Sequence, residues 1–211
     1  MRDDVREKMV LGALRLLATN GLEGVSFSTV LELTGAPRGS IYHHFPKGKD
    51  QLIGLAIERA GQYLLQAMEL PAGTTAVAVA EHFLGIWRRV LVDSRCQAGC
   101  AVLAVTVAAS DRVLLSRARD VFQLWRARLT EQLVQGGLSP DQAKAFAAML
   151  ITSVEGAVAL SRAAQSPEVF DMTATMLLDQ LNCGSLADRA RLAANRAGFE
   201  NLNSRLSGFS A

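Results

Sequence analysis

The fold class this sequence predicts is all-α, and three observations predict it. Half of the 211 residues are hydrophobic while only 6% are aromatic. Ala and Leu dominate and β-branched clusters are sparse, a balance that favours helix over sheet. Apolar residues recur at steps of three and four, the spacing of one helical face, and Gly, Pro and Ser-Pro punctuation cuts the chain into about nine such stretches.

From Asp4 to Thr19, the residues Val5, Met9, Ala13, Leu16 and Leu17 share a face, and Asn20-Gly21 ends this first amphipathic helix. Ser26 and Ser28 stand where an N-cap is needed for a short helix through Thr34, which Gly35 stops by accepting a left-handed backbone. Pro37 opens the next helix, since the N–H it lacks has no partner in a first turn, and Pro46 with Gly48 breaks that helix after Phe45. Two short helices across a tight glycine turn are the signature of a helix-turn-helix. Leu52, Leu55, Ala56, Ala60, Tyr63 and Ala67 mark a fourth helix over residues 50–68, closed by Pro71-Ala72-Gly73. Val77, Ala80, Leu84, Trp87 and Leu91 stripe a fifth. A sixth, over residues 98–109, is almost wholly small or apolar and is expected to be buried on every side. Ala118, Phe122, Trp125, Leu129 and Leu133 stripe a long seventh that ends at Gly136-Gly137. Ser139-Pro140 and Ser166-Pro167 announce the eighth and ninth, the hydroxyl capping and the ring filling the first turn.

The expected organisation is a three-helix domain over residues 1–50 that carries the helix-turn-helix, a larger helical domain over 51–183, and a polar tail over 184–211 with one short helix near 186–196. The charged start "MRDDVREK" is no signal-peptide core. The longest uncharged run, Cys96 to Ser110, is 15 residues, short of the about 20 that span a bilayer. A cytoplasmic protein with no membrane partner is expected. Cys96, Cys100 and Cys183 form no disulfide framework. Cys96 and Cys100 are four apart, so on a helix they share a face, as a redox pair or as two small hydrophobes. The three histidines, His43, His44 and His82, and these cysteines match no metal-ligand pattern, so no metal and no cofactor is expected.

One stretch, "APRGSIYHHFPKGK" at residues 36–49, collects three cations and two histidines with no carboxylate, in a chain of net charge +2. The helix frame puts Ile41 and Phe45 on one side as anchors. The other side then carries Arg38, Ser40, Tyr42, His43 and His44, with Gly39 permitting close backbone approach and Lys47 and Lys49 just beyond. Arg reads guanine edges, Ser, Tyr and His bind phosphate oxygens, and Lys releases counterions. A bare charge run is more often a solvated turn, and the helix-turn-helix context favours duplex DNA.

These residues also carry a family likeness. The run "TGAPRGSIYHHFPKGKDQL" resembles the DNA-binding signature of TetR-type transcriptional regulators, and "PRGSIYHHFP" with the later "GCAVLAV" resembles the LmrA/YxaF-like branch, which includes lincomycin- and flavonoid-responsive repressors. The resemblance implies that Arg38 and Gly39 face base edges, that Ser40, Tyr42, His43 and Lys49 hold phosphates, and that Thr29 touches the backbone from the second helix. Leu31 stands where the family usually has Ala, and the Phe-to-Lys spacing is longer by one, which leaves the phosphate contact open between Lys47 and Lys49.

The resemblance further implies a homodimer made by the last two helices. The Ala- and Gly-rich "AKAFAAMLITSVEGAVALSRAA" allows close helix approach, and Phe170, Ala174, Leu177 and Leu181 stripe its neighbour, although core packing within one chain looks similar. Phe83, Trp87, Phe122, Trp125 and Met149, with His82, Arg88 or Gln97 as polar groups, are the side chains suited to wall an effector cavity, each also a common core residue. The expected function is a repressor released from operator DNA by a small apolar or aromatic effector. A thiol sensor using Cys96 and Cys100 is the second reading, and an all-helical enzyme or carrier the third. Against the last, no nucleophile–base pair, phosphate loop or paired carboxylate stands at useful spacing.

Overall fold

The computed structural model describes residues 2–182, and every regular element among them is an α-helix. These are α1 (Arg2–Asn20), α2 (Phe27–Thr34), α3 (Arg38–His44), α4 (Lys49–Ala67), α5 (Ala76–Asp93), α6 (Ala101–Ala108), α7 (Arg112–Gln135), α8 (Pro140–Ala164) and α9 (Glu168–Asn182). The expected tail over 184–211, its short helix and Cys183 lie outside the described residues.

Local chemistry sets the helix ends. Ser26 Oγ accepts from Thr29 N at 3.1 Å while Thr29 Oγ1 accepts from Ser26 N at 2.9 Å, a reciprocal cap that starts α2. Gly35, at φ 64°, ends it in the left-handed region that only glycine enters freely. Pro37 sits at the N-cap of α3 in extended backbone, one residue ahead of its expected helical place. Ser139 caps α8 with Pro140 in the first turn.

Packing joins the helix-turn-helix to the larger bundle through α1 and α4. Gly12 lets α1 lie against α2, since a Cβ there would stand 2.5 Å from Thr34 Cγ2. On its other faces α1 meets α4 and α6, and α4 in turn meets α7. Trp125 Nε1 donates to Gly61 O at 3.1 Å and Gln132 Nε2 to Met68 O at 2.7 Å, two buried bonds that fix α7 along α4. The remaining core is apolar contact among α5, α7, α8 and α9.

Three expectations change. First, α6 begins at Ala101, with Cys100 as its N-cap and Cys96 in a preceding turn at φ 59°. The two thiols therefore share no helical face. Second, α6 is not buried on every side, because Thr106, Val107 and Ala108 face outward. Composition hides this, since Val107 and Ala108 outside match Val102 and Ala101 inside and only Thr106 is polar. Third, α8 is long and apolar enough by composition to cross a bilayer, which a count of uncharged residues misses because Glu155 interrupts it. Here α8 packs against α5, α7 and α9.

The α5–α6 turn also ties the bundle to α1. Gly99 N donates to Ala18 O at 2.8 Å, and Arg162 Nη2, from α8, donates to Thr19 O at 2.9 Å. These two bonds satisfy carbonyls at the C-terminal end of α1 that have no helical partner.

Candidate functional site

The amphipathic division expected of α3 is present. Ile41 and Phe45 are fully buried, while Arg38, Gly39, Tyr42 and His43 are exposed and Ser40 and His44 are half-exposed. Tyr42 is held edge-on against Phe27 of α2, ring centres 5.5 Å apart, which fixes the ring and leaves its hydroxyl outward. A Cβ built on Gly39 meets nothing within 4 Å. The packing of the chain thus does not require glycine there.

The neighbouring polar groups differ in how free they are. Ser40 Oγ donates to Pro37 O at 2.6 Å and keeps only acceptor capacity, so it must rotate away to donate to a phosphate. Thr29 is half-exposed, and its hydroxyl sits within 3.1 Å of Gly24 O and 3.0 Å of Ser26 O as part of the α2 cap. Lys47 and Lys49 are both exposed and flank Gly48, which turns the chain at φ 83° into α4. Lys47 N donates to Gln51 Oε1 at 3.0 Å, while Lys49 opens α4, whose first turn has no side-chain cap. Arg38, Lys47 and Lys49 form no ion pair among the described residues. The result is an exposed cationic surface beside an uncapped helix N-terminus, which suits phosphate oxygens.

The side chains expected to wall an effector cavity are mostly committed to struts. Trp125 is bonded to Gly61 as above, with Phe122 edge-on at 5.4 Å. His82 Nε2 donates to Ala67 O at 2.6 Å, joining α5 to the end of α4. Arg88 grips Asp171 of α9 through Nε and Nη2 at 2.8 and 3.1 Å. Gln97 bonds the Gln165 amide across two turns. Phe83 is buried and Met149 half-buried in the common core. Trp87 differs from these, being 6% exposed with an Nε1–H that has no hydrogen-bond partner. A hollow does open elsewhere, at the α4–α5 connection, lined by Leu70, Pro71, Thr74, Val79, Arg128 and Gln132.

One buried group escaped the sequence reading. Glu155, on α8, is 8% exposed, lies against the Cys100 thiol, and its Oε2 has no hydrogen-bond partner among the described residues. Burial pushes its carboxyl up to about 7, and the Cys100 contact opposes that rise. The signal was present in the sequence as the lone charge between Lys144 and Arg162. Burial, reinforced by the Glu155 charge, holds the Cys100 thiol well above its ordinary value. Its sulfur accepts from Leu103 N at 3.3 Å as the cap of α6. Redox-sensing thiols are exposed and easily ionised, the opposite of this environment.

On α9 the expected dimer stripe faces its own chain. Phe170 and Leu177 are buried in the monomer core, and Ala174 and Leu181 are half-buried. The outward apolar residues are Met172 and Met176, the latter 70% exposed, with Leu160 on α8. A period of three to four marks a buried face but not whose core it joins, and within the chain that face covers Phe170 and Leu177 while Met172 and Met176 are left exposed.

Comparison with known proteins agrees with this architecture. Residues 10–55 match the family described as bacterial regulatory proteins, tetR family, and residues 76–176 match the C-terminal domain of LmrA/YxaF-like transcriptional regulators. An HTH-type transcriptional regulator of Mycobacterium tuberculosis is 30% identical over 193 residues, covering 88% of this chain and 98% of the relative. The HTH-type transcriptional regulator LmrA of Bacillus subtilis is 28% identical over 174 residues, covering 77% of this chain and 89% of that protein. A TetR transcriptional regulator of Legionella pneumophila has the same fold, with a TM-score of 0.74 at 19% identity over 83% of this chain and 95% of that one.

Proposed function

Because the chain belongs to the TetR family of bacterial regulatory proteins, in its LmrA/YxaF-like branch, we propose that it is a repressor that grips operator DNA with α3 and lets go when a small molecule enters the helical bundle. The observation that carries this reading is the outward face of α3, where Arg38, Gly39, Tyr42 and His43 stand free while Ile41 and Phe45 anchor the helix. Arg38 and Gly39 meet base edges in the major groove. Tyr42 and His43 hold phosphates, and Lys49 at the start of α4 takes the phosphate contact ahead of Lys47, because only Lys49 combines its charge with the uncapped helix N-terminus.

Two protomers read a palindrome, joined through α8 and α9 on the face that exposes Leu160, Met172 and Met176. The domain division follows the same logic, with residues 1–50 as the reader and 51–183 as the effector and dimer domain. Release works through geometry. Effector binding favours a state in which the recognition helices no longer match successive grooves. The strap from Gly99 to Ala18, braced by Arg162 on Thr19, carries that change from the bundle to α1 and so to the reader.

Selection of duplexes from a random library, followed by footprinting, tests the reading. It predicts a palindromic site whose sequence preference is relaxed in Arg38→Ala. Protection with no symmetry, or none at all, contradicts it.

A further inference from the structure

The described interior contains two side-chain polar atoms without a partner, and they are complementary: Trp87 Nε1 is a donor and Glu155 Oε2 is an acceptor. Both side chains are more than nine-tenths buried. Such orphans are costly, and each calls for a partner.

Their helices bring them to one level. α5 and α8 run in the same direction, since Ala76 N at the start of α5 donates to Gly136 O just before α8, and the turn after α5 meets the turn after α8 at Gln97 and Gln165. Trp87 stands 11 residues past Ala76 and Glu155 stands 15 residues past Pro140. At about 1.5 Å per residue the two differ in height by about 6 Å, roughly one turn. α5 and α8 are in contact, and Glu155 reaches Cys100, the N-cap residue of α6.

Resting on the effector-released reading above, we propose that Glu155 and Trp87 are the polar anchor of the effector site, and that the effector is an apolar molecule ending in one group that both donates and accepts a hydrogen bond, an alcohol or a carboxamide. An alcohol O–H donates to Glu155 Oε2 while its oxygen accepts from Trp87 Nε1. A carboxamide does the same with its N–H and its carbonyl. A hydrocarbon satisfies neither atom, and above about pH 7, where Glu155 is ionised, a carboxylate meets it with like charge. The inserted molecule parts α5 from α8 and presses on Cys100, the residue after Gly99, whose N–H holds Ala18 O of α1. Binding and release thus meet at one strap.

Four probes sharing a naphthalene ring test this: naphthylmethanol, naphthamide, methylnaphthalene and naphthoate. Each is titrated calorimetrically into the full chain, and into Glu155→Leu, Glu155→Gln and Trp87→Phe, with circular dichroism to verify the fold. Release from the selected operator is followed in parallel. The alcohol and the amide are expected to bind wild type at least about tenfold tighter than methylnaphthalene, the worth of one buried hydrogen bond. That advantage vanishes in Glu155→Leu, shrinks in Trp87→Phe and survives within about threefold in Glu155→Gln, whose amide keeps an acceptor. Equal binding of methylnaphthalene and the alcohol, no binding by any probe, or an advantage retained in Glu155→Leu overturns the anchor. Should Glu155→Leu fail to fold, an undiminished advantage in Trp87→Phe overturns it as well. Anchor-dependent binding that leaves the operator occupied would sink effector release and keep the site. Release that is indifferent to Glu155 would sink the site and keep effector release.

Discussion

Replacing Glu155 by glutamine removes a buried acid while keeping its shape, and the consequence for stability follows from one comparison. In water the carboxyl ionises near 4.5, and in the folded chain near 7. Between those values the folded state holds a proton that unfolding releases. Stability contributed at this position is therefore full below about pH 4.5, falls as pH rises, and levels off above about pH 7. At about 1.4 kcal/mol per pH unit the whole fall is about 3 kcal/mol, a large fraction of the 5–15 kcal/mol or so that folds a typical domain. The amide introduced by Glu155→Gln has no such titration. Urea unfolding at fixed protein concentration, at half-unit steps from pH 5 to 8, gives both profiles, and every other group titrates in both proteins, so their difference isolates the residue. The wild-type curve should drop toward the high-pH end relative to Glu155→Gln by about 2–3 kcal/mol. Profiles that stay parallel within about 0.5 kcal/mol would refute the burial of an unpaired carboxyl.

Other positions give independent expectations. Gly136→Ala puts a Cβ 2.4 Å from Ala76 N, where Ala76 N–H donates to Gly136 O, and should cost about 2–4 kcal/mol by thermal or urea unfolding. Gly39→Ala, with nothing within 4 Å, should leave unfolding unchanged within about 0.5 kcal/mol yet weaken operator binding in an anisotropy titration. Tyr42→Phe should weaken binding to all duplexes by about 1 kcal/mol. Arg38→Ala should in addition relax preference at one base pair by about 1–3 kcal/mol, and equal losses on every sequence would remove it as a base reader. Met176→Glu should split the dimer in sedimentation while the chain stays folded, whereas Leu177→Glu, whose side chain is 5% exposed, should destabilise the chain itself.

What the sequence made legible was whatever depends on local chemistry. The caps at Ser26 and Ser139, the left-handed stop at Gly35 and the division of α3 into anchors and free polar groups all follow from residues within a few positions of each other. What it concealed depends on partners far along the chain. The sequence marks Trp125 and His82 by type and spacing, but the carbonyls of Gly61 and Ala67 that they bond lie 64 and 15 residues away. The α9 stripe is plain in the sequence, while the burial of Phe170 and Leu177 against their own chain is not. The outer face of α6 differs from its inner one only by Thr106, since Val107 and Ala108 outside repeat the residue types of Val102 and Ala101 inside. Glu155 lay in plain view as a lone charge in an apolar helix, and only its burial against Cys100 gives it meaning.

Whether the free face of α3 reads DNA is decided by hydroxyl-radical footprinting of wild type and Arg38→Ala on the selected duplex. Two symmetric protected patches are expected, with centres one helical turn or a small multiple of it apart, together with selective loss of sequence preference in Arg38→Ala. Identical footprints and preferences for the two proteins, or protection confined to a single unsymmetric patch, would contradict a reading of DNA by α3.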